Sequence, residues 1–183
     1  MFSRFKTALA VSTFAAGALF AAFAASRGAT AALPVERNST APEFTGIDKW
    51  LNSQPLTMQQ LRGKVVLVDF WTYTCINCIH TLPYVQSWYQ KYKDQGLVVV
   101  GVHTPEYPFE RDTGKVSAAI KQYGLGYPVA QDNEYATWNA YGNQYWPALY
   151  LIDKKGQVVY THFGEGNYEH TEAEIRAQLA KAN

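Results

Sequence analysis

Residues 65–83 read VVLVDFWTYTCINCIHTLP, and this stretch decides the fold. Val65–Phe70 is a continuous apolar, mostly β-branched run broken by one acid, the pattern of a strand covered on both faces. A helix is expected to follow from about Cys75 to Lys93, with Pro83 inside it as a kink. The chain's two cysteines thus sit where a buried strand gives way to a helix. At a helix N-terminus, unpaired backbone N–H groups and the positive dipole end favour an anion. Such a position lowers a thiol pKa from about 8.5 toward neutrality, and the thiolate is the attacking species. The spacing of three puts Cys78 one turn further along the same face, within bridging reach of Cys75. Cys75 is therefore expected to be the exposed nucleophile and Cys78 the shielded resolving thiol.

Other uses of a CxxC pair fit less well. Tetrahedral zinc wants four ligands; no second cysteine pair exists, and His80 and His103 would have to be drafted in. Haem attachment needs CxxCH, whereas Ile79 follows Cys78. A purely structural disulfide would close a loop too small to stabilise much. Thr72 lies three residues before Cys75, as in the TxxC pattern of thiol peroxidases, but Val68 stands where a proline is expected. No metal is predicted.

Outward from the motif, Leu97–His103 (LVVVGVH) reads as a second buried strand and Thr113–Tyr123 as a helix with Val116, Ala119, Ile120 and Tyr123 on one stripe. Tyr127–Ala130 predicts a short strand and Asn133–Tyr141 a short helix. Ala148–Ile152 and Gln157–His162 flank a turn at Asp153–Gly156 and predict an antiparallel hairpin. Thr171–Ala180 predicts a closing helix, with Thr171 and Glu174 as a capping box. Upstream, residues 43–63 read as a lead-in with a helical turn at Met58–Arg62 capped by Thr57. The order predicts an α/β sandwich, its sheet parallel in the first half and antiparallel at the end, with helices on both faces.

The N-terminus reads as an export signal. Arg4 and Lys6 precede Ala8–Ala25, which is uncharged and mostly apolar, and small-x-small sites follow at Ala22–Ala24 and Ala29–Ala31. The stretch is long for a signal core and short for a membrane span. Residues 1–31 are thus expected to be a cleaved signal or a retained anchor, residues 32–42 a tether, and residues 43–183 the domain. The formal net charge is +1, from 16 basic and 15 acidic residues. Removing Arg4, Lys6 and Arg27 leaves 13 basic residues, net −2, with no basic run, so nucleic-acid binding through a basic patch is not expected.

Several of these features together resemble the thioredoxin superfamily. Asp69 lies six residues before the first cysteine, Phe70-Trp71 follows it, then CxxC, and Pro83 falls five residues after the second cysteine. Trp146-Pro147, ahead of the ALYLID strand, matches the superfamily's cis-proline position. LTMQQLRGKVVLVDFW and the inserted segment before Trp146 resemble its TlpA-like branch. FWTYTCINCIHTLPYV, GVHTPE, YATWNAYGN and YWPALYLID are similar to the thioredoxin-like domain of DipZ proteins. The resemblance runs from about Glu43 to Leu179. It implies a thioredoxin fold with a TlpA-like central insertion, and an extracytoplasmic thiol–disulfide oxidoreductase with a role of the cytochrome c maturation type. It also implies exported disulfide-bearing proteins as substrates, a membrane electron donor of the DsbD/CcdA type, and no cofactor. The alternatives are a peroxiredoxin-like thiol peroxidase and a non-catalytic thioredoxin-fold binding module.

Each matched residue has its own physical reading. An ionised Asp69 in a buried strand is costly, so its pKa should be raised, which suits proton exchange near pH 7. Pro147, if cis, would hold the Trp146 backbone facing the sulfurs for a substrate strand to pair with. Tyr73 and Trp146 are the expected substrate-facing rim; Trp71, Trp138 and Tyr145 are more at home in a core. Some TlpA-like reductases carry an acid three residues after the second cysteine, where this chain has Thr81. Proton work then falls to Asp69, or to His103 or Glu106 at the end of the second strand. Ile76-Asn77 lacks the Pro-His of strongly oxidising members, which favours reduction.

Overall fold

The central strand exists because all seven of its residues can be buried. In the computed structural model, which describes residues 34–182, it runs Val65–Trp71 (β2). The expected signal or anchor lies outside the described residues. Alternation along β2 feeds two cores. Val65, Leu67 and Trp71 face one cluster with Cys78, Leu82, Val85 and Ile175; Val66, Val68 and Phe70 face the other with Trp138, Tyr141 and Tyr150. By the same alternation, Asp69 points into the first cluster.

The elements follow as β1 (Lys49–Leu51), β2, α1 (Ile76–Tyr92), β3 (Leu97–His103), α2 (Thr113–Gln122), β4 (Val129–Gln131), α3 (Ala136–Ala140), β5 (Ala148–Ile152), β6 (Val158–Phe163) and α4 (Tyr168–Leu179). One six-stranded sheet has the order β1-β4-β3-β2-β5-β6. β2 pairs parallel to β3 and antiparallel to β5, and β3 pairs parallel to β4. Buried residues of α1, α2 and α4 pack on one face; Trp138 of α3, with Ala41, Met58 and Leu61 of the lead-in, covers the other. This is the expected mixed α/β sandwich, with α2, β4 and α3 inserted between β3 and β5.

The hairpin turn is built as its residues suggest. Asp153 Oδ1 accepts from the backbone N–H groups of Lys155 and Gln157, each at 2.9 Å. Gly156 takes a φ of +75°, which a side chain would strain. Around Met58–Arg62 the chain makes turns, and Thr57 and Gln60 cap each other reciprocally at 3.1 Å.

Three expectations need correction. Residues 34–42 are not a free tether: Asn38 N–H donates to Val158 O (2.6 Å), Val158 N–H to Ser39 O (2.9 Å) and Ala41 N–H to Gly156 O (2.9 Å). Backbone groups satisfied this way, with Ala41 buried, hold the segment onto the hairpin. β1 lies inside the supposed lead-in and pairs antiparallel with β4. Its three residues show no alternation to read, and the pairing partner lies about eighty residues away. Finally, α4 begins at Tyr168, with Asn167 in the left-handed conformation as its cap. Thr171 is therefore inside the helix. Its hydroxyl bonds Asn167 O at 3.0 Å and Tyr160 Oη at 2.9 Å, so there is no capping box with Glu174.

Candidate active site

Cys75 is the N-cap of α1. Its Sγ accepts from the Cys78 N–H at 3.4 Å, as capping side chains do. Both thiols are free; Cys75 is half-buried and Cys78 fully buried. The hydrogen bond with the Cys78 side chain, then the Cys78 and Asn77 backbone N–H groups, lower the Cys75 thiol from 9.0 to about 7. They do so against partial burial and the nearby charge of Glu106. Burial, above all, pushes the Cys78 thiol far above its ordinary range. The pair is thus split into one thiol that ionises at neutral pH and one that needs a base.

Asp69 is 1% exposed, and neither carboxylate oxygen has a hydrogen-bond partner. Burial, and then the negative charge of Cys75, raise its pKa from 3.8 to about 7. Its charge in turn acts on Cys78. A buried base that titrates near neutrality stands beside the thiol that has to lose a proton.

The Trp146–Pro147 peptide is cis, and Trp146 O lies 3.9 Å from Cys75 Sγ. Pro147 is buried, so the Trp146 carbonyl is what faces the sulfur. The Trp146 indole turns inward, donating to Thr104 O at 3.0 Å and packing on Trp138 with centroids 4.1 Å apart. Tyr73 donates to Phe109 O at 3.1 Å and stacks on His103 at 5.6 Å. Both expected rim residues are therefore tied into the domain, with part of their surface open.

His103 is fully buried, and burial lowers its pKa to about 4, so it is neutral through the working range. Its Nε2 lies 3.3 Å from Thr72 Oγ1, and the Thr72 side chain is also bonded to Glu110. Glu106 is exposed and acts on Cys75 only through its charge. Thr81, in the place of an acid, bonds Asn77 O at 2.9 Å. Among the described residues, no group of three or more His, Cys, Asp or Glu side chains could hold a metal ion.

Sequence reasoning missed Glu110. It is buried in the 3₁₀ turn Pro108–Arg111 and accepts from the Glu106 and Tyr107 N–H groups at 2.6 and 2.9 Å. It also accepts from the Thr74 hydroxyl, directly before Cys75. Burial alone would raise its pKa, but these bonds outweigh it and the net shift is down. The readable signal was Pro108 opening a turn with an acid two residues on. Glu110→Ala should leave these donors without their acceptor and lower stability by about 1–3 kcal/mol. The urea midpoint at unchanged slope checks this; an unmoved midpoint would mean that solvent satisfies those donors.

Comparison with known proteins agrees with this geometry. The redoxin family profile matches residues 36–179. Protein DipZ of Mycobacterium tuberculosis is 52% identical over 154 residues, covering 82% of this chain. The chain spans only 22% of that relative's length. Thiol-disulfide oxidoreductase YkuV of Bacillus subtilis is 35% identical over 141 residues, 76% of this chain and 94% of YkuV. A thioredoxin-like protein solved in its oxidised form superposes with a TM-score of 0.73 at 33% identity, covering 80% of this chain and 98% of its own.

Proposed function

Because this chain belongs to the redoxin family and is a thiol–disulfide oxidoreductase of the thioredoxin fold, we propose that it works outside the cytoplasm, reducing disulfides of exported proteins through Cys75 and Cys78. The observation that carries this is the split pair: an ionisable Cys75 at a helix start, and a protonated Cys78 behind it beside a base that titrates near pH 7.

The Cys75 thiolate attacks one sulfur of a substrate disulfide. A Cys75–substrate bond forms, and the other substrate sulfur leaves as a thiolate. Asp69 takes the Cys78 proton, and the Cys78 thiolate attacks Cys75 Sγ. The Cys75–Cys78 disulfide forms, the mixed disulfide breaks, and the substrate leaves with both electrons. The Trp146 carbonyl and Pro147 offer an approaching substrate backbone a place beside the sulfur, with Tyr73 and Trp146 at its border. The oxidised pair is then recharged by a membrane electron donor of the DsbD/CcdA type, and cytochrome c maturation is the kind of process served.

The support for location is in the sequence: Arg4 and Lys6 ahead of Ala8–Ala25, the charge asymmetry that holds an N-terminus inside while the rest crosses. Among the described residues no helix is long and apolar enough to cross a membrane. Outside the cytoplasm no glutathione or thioredoxin pool keeps thiols reduced, so a membrane donor is needed. Cell fractionation with alkylation trapping tests location and direction together. The expected result is protein in the exported fraction with Cys75 and Cys78 mostly reduced. Full-length protein in the cytosol would overturn the location, and a pair held fully oxidised would overturn the direction.

A further inference from the structure

On the face into which Asp69 points, with its two unpartnered oxygens, are two unspent donors, Trp71 Nε1–H and Tyr127 Oη–H, both buried and both without a hydrogen-bond partner. The charge of Asp69 acts on the Tyr127 phenol. Parallel register sets Asp69 opposite Gly101 of β3, and paired positions in a sheet project to the same face. A Cβ built on Gly101 would stand 3.0 Å from Trp71 Nε1 and 3.0 Å from Tyr127 Cε2. The two rings therefore fill the space next to Asp69 that a side chain at position 101 would have taken. Tyr127 is 0% exposed, its carbonyl held by Asn52 Nδ2 at 3.0 Å and its ring packed edge-on against Tyr89. A buried carboxylate without donors beside a buried phenol without an acceptor is a complementary set, and unpaired groups of this kind call for an explanation.

We propose that Tyr127 is a positioning residue whose hydroxyl donates a hydrogen bond to the Asp69 carboxylate once Asp69 ionises, holding it ready to accept the Cys78 proton. This rests on the role of Asp69 proposed above. Burial, with the charges of Asp69 and Cys78, raises the phenol well above its ordinary pKa, so it stays a donor wherever the enzyme works. The titratable groups whose charges act on this pair are Cys75 and Cys78. The neutral His103 of β3 and the phenols of Tyr73, Tyr89, Tyr92, Tyr123, Tyr160 and Tyr168 share this face, and β5 brings the uncharged Leu149 opposite Asp69. Gly101 leaves room for the arrangement, since a Cβ there would sit 3.0 Å from both rings and oblige them to give by a few tenths of an ångström.

The test is a carboxyl NMR titration of Asp69 in the folded protein, comparing wild type with Tyr127→Phe. That variant keeps the ring and removes one unpaired hydroxyl, so the fold is retained. A hydrogen bond to a charged group makes the midpoint rise by about one pH unit when it is lost. The pKa of about 7 arises without that bond, so wild type titrates about one pH unit lower. Resolution of a mixed disulfide at pH 7 then slows about twofold in Tyr127→Phe, as the ionised fraction of Asp69 falls from about nine tenths to about half, and recovers at higher pH. In an Asp69→Asn background, Tyr127→Phe should add no further slowing. An unmoved Asp69 midpoint, or equal slowing with and without Asp69, would overturn the proposal. The titration needs no catalysis, so a wild type that fails to reduce disulfides would remove the proposed function and leave this comparison decisive.

Discussion

Cys75→Ser is expected to abolish reduction of insulin or of a small disulfide, while Cys78→Ser should keep the first step and stall at the second. Lowering the Cys75 thiol from 9.0 to about 7 raises its thiolate fraction at pH 7 about fiftyfold. Serine has no comparable anion, so no exchange begins. Cys78 has the opposite environment, buried and protonated, and cannot start an attack. Without it, Cys75 stays joined to its substrate, and mixed disulfides should accumulate on non-reducing gels. Activity surviving in Cys75→Ser, with no trapping in Cys78→Ser, would reverse the two roles.

Asp69→Asn is expected to slow turnover by roughly 10²–10⁴-fold, the usual cost of a lost general base, mainly in the resolving step. Single-turnover release from a preformed mixed disulfide measures it; an unchanged rate across pH 6–8 would remove Asp69 from the mechanism. Stability should move the other way. The folded-state pKa of Asp69 is about 7 against 3.8 for an unperturbed aspartate. Between those values the folded state holds a proton that the unfolded chain has released, so stability falls as pH rises through that window. The slope is about 1.4 kcal/mol per pH unit. Asp69→Asn lacks this penalty, so its margin over wild type should be small near pH 4 and a few kcal/mol near pH 8. Glu110, whose pKa is lowered, contributes in the opposite sense at lower pH in both proteins and cancels in the comparison.

The sequence was most legible where structure is set locally. The apolar run of β2, the thiol at the start of α1 and the Asp153–Gly156 turn each carry their signal within a few residues. So did the placing of an acid in a buried strand, because alternation fixes which way Asp69 points. What stayed hidden depends on distant partners. β1 is a strand because Lys49–Leu51 meets Val129–Gln131, and residues 38–41 are ordered because the hairpin accepts them. Thr171 offered a plausible cap, but Asn167 takes a left-handed turn and starts the helix earlier. Glu110 was not singled out because nothing nearby says that Thr74 would turn its hydroxyl toward it. Tyr127 read only as the start of a short strand, and it is its position across Gly101 that sets its ring on the face of the redox groups.

The docked segment at residues 38–41 has a bearing on how the domain avoids sticking to its own kind. An open sheet presents two rows of unpaired backbone groups, which template association with other strands. Here one border is β1, three residues long and opened by Lys49, too short to seed a growing ribbon. The other is β6, whose start is already occupied: Thr40 bridges Gln157 just before it, and Val158 accepts from Asn38 N–H and donates to Ser39 O. Both borders of the sheet are thus short or partly occupied by the chain itself, while the Trp146 carbonyl stands 3.9 Å from Cys75 Sγ, away from either border.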